Sequence, residues 1–142
     1  MPERNRQIPL KAGAGVLLVL YWLLVFTGTH ISKAPQVIET SDKVLHFSAY
    51  TGLAFLLSLN VWLHRGTFGW AQRLAVVGLG SAYGVVDELT QIPVGRDCEF
   101  LDWVADTAGS SAGMAIFLAA LWLWRRTTRN DSAVGTDDGA NQ

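Results

Sequence analysis

Four long segments of this chain are predominantly apolar: residues 12–30, 44–63, 74–92 and 100–124. Each is about 19 to 25 residues long, or roughly 28 to 38 Å as helix, against a bilayer hydrocarbon core of about 30 Å. A water-facing helix shows polar positions recurring with a 3.6-residue period. GVLLVLYWLLVF (15–26) and MAIFLAALWLW (114–124) show none. Buried helices of a soluble protein can look alike, but four of them in 142 residues would leave too little polar sequence to cover them. The pattern predicts an all-α membrane protein, a bundle of four transmembrane helices over residues 12–124. Residues 1–11 form a short N-terminal segment. Residues 125–142, polar and aperiodic, are predicted to be a disordered tail.

Composition sharpens this picture in a few places. Half of the residues are hydrophobic and 16% are charged, with a formal net charge of −1 and no basic tract suited to nucleic acid. Cys98 is the sole cysteine, so no internal disulfide can form. The first span follows Arg4, Arg6 and Lys11 as a secretory signal would, yet its apolar run is long and THISKAP offers no small-residue cleavage site, which predicts a retained anchor. Orientation follows from the basic residues. Arg4, Arg6, Lys11, Arg65, Arg73, Arg125, Arg126 and Arg129 fall on one side, and only Lys33, Lys43 and Arg96 on the other. The excess of eight over three predicts cytoplasmic N- and C-termini and exterior first and third connections.

With that topology, the unusual polar residues collect at one membrane face. Asp42, Lys43 and His46 start the second span; Asp87, Glu88 and Gln91 end the third; Arg96, Asp102 and Asp106 lead into the fourth. Asp42, His46 and Tyr50 stand at i, i+4 and i+8, within about 80° of one another on a helix. Gly80 and Gly84 continue the face of Asp87 and Gln91 inward, and Gly109 and Gly113 continue that of Asp102 and Asp106. Both glycine pairs match the small-xxx-small pattern that lets membrane helices approach closely, predicting that these faces pack inward.

A carboxylate at mid-membrane costs about 2.5 to 3.5 kcal/mol, and less near the interface. The candidate bases, Arg96, Lys43 and His46, are fewer than the acids. Either some carboxylates hold a proton or a bound cation supplies charge. Plainer roles exist for each residue. Asp42 and Asp102 suit helix caps or first-turn acids, and His46 suits an interfacial hydrogen bond. Arg96, after Gly95, suits an ion pair with Asp87 or Asp102 as well as a phosphate contact. Asp97 and Glu99 read as solvated loop acids. Glu88 and Gln91 resist such readings, since neither starts a helix. There is no HExxH, phosphate loop, GxSxG or paired-cysteine motif. The histidine and carboxylates are types that bind a divalent ion, but one histidine among scattered acids leaves the metal unspecified. Ser41, Ser48 and Ser110 carry no mark of a nucleophile.

These motifs resemble the VanZ-like family of integral membrane proteins. The likeness is carried by DKVLHFSAY (42–50), DELTQ (87–91), GR (95–96) and DWVADTAG followed by Gly113, about half of the chain. It departs from the family pattern at Val94, where a proline usually precedes the glycine, and at Asp106, where asparagine is frequent. The resemblance implies a multi-pass protein of the bacterial cytoplasmic membrane with an envelope-facing polar cluster. It also implies an association with glycopeptide (teicoplanin) resistance, which is not a mechanism.

Two functional expectations follow. In the first, the cluster recognises a lipid headgroup, a glycan precursor, a glycopeptide-related target or a membrane protein partner, with Asp42, Lys43, Tyr50, Asp87, Gln91, Arg96, Asp102 and Asp106 in contact. In the second, the chain is a membrane-embedded hydrolase or transferase acting on a lipid-linked substrate. Glu88 is then the acid/base, His46 its partner or a metal ligand, and Asp102 and Asp106 ligands or orienting groups. Ion conduction fits less well, because the cytoplasmic half of the spans carries no charge to complete a path.

Overall fold

A computed structural model describes residues 2–30, 42–95 and 98–134, with side chains from Ile8 to Arg129 within those ranges. The chain is all-helical, with no strand among the described residues. Its elements are α1 (Pro2–His30), α2 (Asp42–Arg65), α3 (Trp70–Gln91) and α4 (Phe100–Val134), with a short 3-10 turn at Ile92–Val94. The helices alternate in direction. Three of them, over Ile8–His30, Asp42–Arg65 and Phe100–Arg129, are long and apolar enough to cross a membrane. The 22 residues of α3 have a similar reach, about 33 Å, but carry Gln72, Arg73, Asp87, Glu88 and Gln91.

Two helices outrun the predicted spans. The first begins at Pro2, although Pro9 stands inside it. The last continues to Val134, so the tail predicted as disordered from residue 125 is helical for its first ten residues; residues 135–142 lie outside the described residues. A helix satisfies its own backbone and need not stop at an apolar boundary. Here the Thr127 and Thr128 hydroxyls donate back to the Trp124 carbonyl, and the Arg126 guanidinium lies 5.3 Å from the Trp122 ring centre. The connection between α2 and α3 turns at Gly66, whose φ of +72° suits glycine. Its N–H closes the helix end on the Trp62 carbonyl at 2.8 Å.

Packing differs between the two ends of the bundle. At one end Ala54, Phe68, Val76, Phe117 and Leu121 form the buried apolar core. Phe68, from the α2–α3 connection, plugs the bundle edge-on against Phe117, with ring centres 5.1 Å apart. Phe55 and Trp62 flank Phe117 at 5.9 and 6.3 Å. Toward the other end the helices approach by their backbones. A β-carbon on Gly109 would collide with the Phe47 carbonyl, and one on Gly113 with that of Thr51. The glycine stripe of α4 therefore seats α2, its most extensive neighbour. The stripe of α3 seats α4 instead: Gly80 lies against Ser110 and Gly84 against Asp106. Both glycine pairs face inward, against different partners.

Candidate functional site

All four helices deliver polar side chains to the end opposite the aromatic core. From α2 come His46 and Tyr50; from α3, Asp87, Glu88 and Gln91; from α4, Asp102, Asp106 and Ser110. All eight are buried, with Tyr50, Asp87 and Asp106 at 0% exposure. Asp42, the first residue of α2, is exposed, and Lys43 is partly so. Arg96 and Asp97 lie outside the described residues, as does Lys33.

The hydrogen bonds divide this set into three layers. Asp87 ties α3 to α1: it accepts from the Thr29 hydroxyl at 3.1 Å and from the Gln91 amide at 3.2 Å. His30 reinforces the tie, with Nε2 3.0 Å from the Thr90 hydroxyl and its ring stacked on Phe26. An outer layer pairs Lys43 with Glu99 at 2.8 Å and with Asp102 at 3.4 Å. Glu99, expected to be a solvated loop acid, also donates its backbone N–H to Glu88 Oε2 at 2.9 Å, fixing the α3–α4 connection to the end of α3.

Between these layers lie His46, Glu88 and Asp106. His46 Nδ1 is 2.9 Å from Asp106 Oδ1 and 4.0 Å from Glu88 Oε1. An ionised carboxylate only accepts, so in the neutral imidazole the Nδ1 proton serves Asp106 and Nε2 keeps its lone pair. Nε2 has no hydrogen-bond partner among the described residues. Glu88 Oε1, Asp106 Oδ2, Tyr50 Oη and Ser110 Oγ are likewise buried without one. Leaving a buried polar group unpaired costs about 1 to 3 kcal/mol. Several such atoms side by side mark a place arranged for something other than stability.

Just below this layer the lining becomes apolar. Tyr50 and Tyr83 stack with ring centres 6.0 Å apart. Under them a cavity of about 320 Å³ is bounded by residues including Leu18, Trp22, Leu57, Leu79, Tyr83 and Ser110. A second cavity of about 540 Å³, open toward His64 and Arg65 at the aromatic end, shares Leu57, Val76 and Leu79 with the first. The smaller one is an apolar groove beside α3 that ends one helical turn from the acids, Ser110 being i+4 from Asp106.

Of the residues expected at the site, His46, Tyr50, Asp87, Glu88, Gln91, Asp102 and Asp106 converge, with Lys43 and the exposed Asp42 at the rim, Asp42 within 4.8 Å of His46 and Asp102. Thr29, His30 and Ser110 join them although sequence reasoning did not place them there. The signal for the first two was available: the topology that carried the starts of α2 and α4 to one face also carries the end of α1. Comparison with protein-family models, with curated proteins and with solved structures finds no match.

Proposed function

We propose that this chain is a four-span, VanZ-like membrane protein of the bacterial cell envelope. Both termini are cytoplasmic, and its polar end engages a lipid-linked glycan precursor at the outer face of the cytoplasmic membrane. The outward surface of α3 supports the fourth span: Leu74, Leu79, Val85, Val86 and Leu89 are all exposed, although the opposite face is the most polar in the bundle. A helix with an apolar exterior and a polar interior suits lipid around a functional centre. The observation that carries the reading is the apolar groove ending one turn from buried carboxylates. An amphiphile has that profile, with its chain lying among Leu18, Leu57 and Leu79 and its hydroxyl-bearing headgroup meeting the acceptors at the helix ends.

A second reading, catalysis on the same substrate, is favoured by one specific feature. The His46–Asp106 pair with Glu88 at 4.0 Å is an arrangement able to move a proton. Glu88 would be the acid/base and His46 its partner.

Two measurements test the proposal. Cys98 is exposed on the α3–α4 connection, so a membrane-impermeant maleimide labels it in intact cells; labelling only after lysis reverses the orientation. Native mass spectrometry of the detergent-purified protein offered a polyprenyl-linked sugar phosphate shows a lipid-bound species, reduced at least about tenfold by the groove-filling Leu57→Trp. Equal retention by that variant, or none by the wild type, removes the lipid-linked substrate. The glycopeptide association is tested separately, by the teicoplanin susceptibility of cells with and without the protein.

A further inference from the structure

We propose that His46, Glu88 and Asp106 form a binding site for one divalent transition-metal cation, of the Zn²⁺ or Mn²⁺ type. The proposal rests on reading this cluster as the functional centre.

One donor atom from each of the three residues lies within 4.8 Å of those of the other two, and all three residues are buried. Proximity of acids alone would be weak ground. The stronger observation is the state of the individual atoms. Each residue has one polar atom engaged and one left over. His46 Nδ1 is held by Asp106 Oδ1, and Glu88 Oε2 is held by the Glu99 N–H. His46 Nε2, Glu88 Oε1 and Asp106 Oδ2 have no partner among the described residues, on side chains at least 96% buried. The Glu99 N–H fixes the orientation of Glu88, as the outer hydrogen bonds of metal ligands do, and leaves Oε1 turned toward His46 Nδ1 at 4.0 Å. The atoms that face one another are His46 Nδ1, Asp106 Oδ1 at 2.9 Å from it and Glu88 Oε1 at 4.0 Å from it, one imidazole nitrogen and two carboxylate oxygens, a donor set of borderline hardness. It suits Zn²⁺ or Mn²⁺ better than Mg²⁺, which prefers oxygen and water, or a thiolate-seeking ion.

Charge balance points the same way. Asp87, Glu88, Asp102 and Asp106 converge with Lys43 as the one Lys or Arg among the described residues paired to them. Such a centre repels the phosphate of a lipid-linked precursor. A divalent cation held by the inner three residues reverses the local sign and gives the phosphate a partner. A second trio, Asp42, His46 and Asp102, also lies within 4.8 Å. However, Asp42 is exposed, so the buried trio is the site.

The test uses the full-length protein in detergent, stripped with chelator and then equilibrated with Zn²⁺ or Mn²⁺ alone. After removal of free metal, mass spectrometry should find about one ion per chain. Affinity should fall at least about tenfold in His46→Ala and in Glu88→Gln, and should not change in His64→Ala, whose histidine is at the opposite end. Should His46→Ala fail to fold, nitrogen hyperfine coupling to Mn²⁺ in the wild type decides. Its presence requires the only buried histidine of the cluster, and its absence overturns the site. No retained ion, or equal retention by a folded His46→Ala, also overturns it. Lipid retention in the same preparation separates this proposal from the previous one: lipid bound without metal leaves the lipid reading standing and removes the ion.

Discussion

The two ends of this bundle solve packing in opposite ways. The aromatic end fills its interior with Phe55, Trp62, Phe68 and Phe117, large rings meeting at tilted or edge-on angles. The Asn60 amide donates to the Ala14 carbonyl there at 3.0 Å and holds α2 to α1. The polar end has almost no apolar filling. It relies on backbone contact at Gly109 and Gly113 and on Gly84 lying against the Asp106 side chain, and it encloses eight polar side chains, several of them unsatisfied. In lipid, apolar side chains gain little by leaving their surroundings, so helix association depends on fit and on polar contacts. The aromatic end supplies fit. The polar end gives up part of its stability by burying polar atoms without hydrogen-bond partners.

That contrast predicts where substitutions act. Glu88→Gln preserves shape and keeps an acceptor for the Glu99 N–H. It should change stability in detergent by no more than about 1 kcal/mol while weakening metal or substrate binding about tenfold to a hundredfold. Thermal unfolding and binding on one preparation read both. Loss of the folded state would make Glu88 structural and erase the distinction between the ends. Gly113→Val at the α2–α4 contact should be the most destabilising single change. Its side chain meets backbone of Thr51 and Phe55 that has no rotamer to yield, at a cost of about 1 to 3 kcal/mol. Gly78→Ala, with nothing within 4 Å, should be neutral or gain about 0.8 kcal/mol from helix propensity.

At the aromatic end the signs exchange. Phe117→Ala opens a void of roughly 100 Å³, which at about 24 cal/mol per Å³ costs about 2 kcal/mol, a smaller loss than in water because the transfer contribution is weak in lipid. Binding at the polar end should be unchanged once the variant is folded. A loss of binding equal to that of Glu88→Gln would show the two ends to be coupled.

How much of this was legible in the sequence follows from what each feature depends on. Helix positions and polar convergence need only hydropathy and a parity count, and they stand, while α3 is not among the three helices long and apolar enough to cross a membrane. Facing directions of Gly80/Gly84 and Gly109/Gly113 follow from periodicity, but which neighbour each stripe receives is a three-dimensional fact. The separation of Asp87, a tether satisfied by Thr29 and Gln91, from Glu88, one residue on and half unsatisfied, has no sequence signature. Adjacent residues differ by about 100° on a helix, and only the positions of α1 and α4 decide which finds a partner. The helical continuation through Val134 was missed because polarity was read as disorder, although a helix leaving the membrane needs no apolar face.

The outer layer offers the mildest test. Lys43 and Glu99 are 2.8 Å apart, with side chains 39% and 51% exposed. Exposed pairs of this kind contribute about 0.2 to 1 kcal/mol, because solvent screens them and two long side chains lose freedom. A double-mutant cycle of Lys43→Met and Glu99→Gln should therefore give a coupling near 0.5 kcal/mol. The coupling should shrink as salt is raised toward 1 M, where screening acts over about 3 Å. The single variant Lys43→Met has a further consequence at Asp102, 3.4 Å from the ammonium and itself buried. Removing the cation leaves that carboxylate beside Glu88 and Asp106 with less compensation, which should tighten the hold of the inner site on a divalent ion. Weaker ion binding in Lys43→Met would mean that the rim lysine positions the acids, and the division between an outer structural layer and an inner binding layer would have to be redrawn.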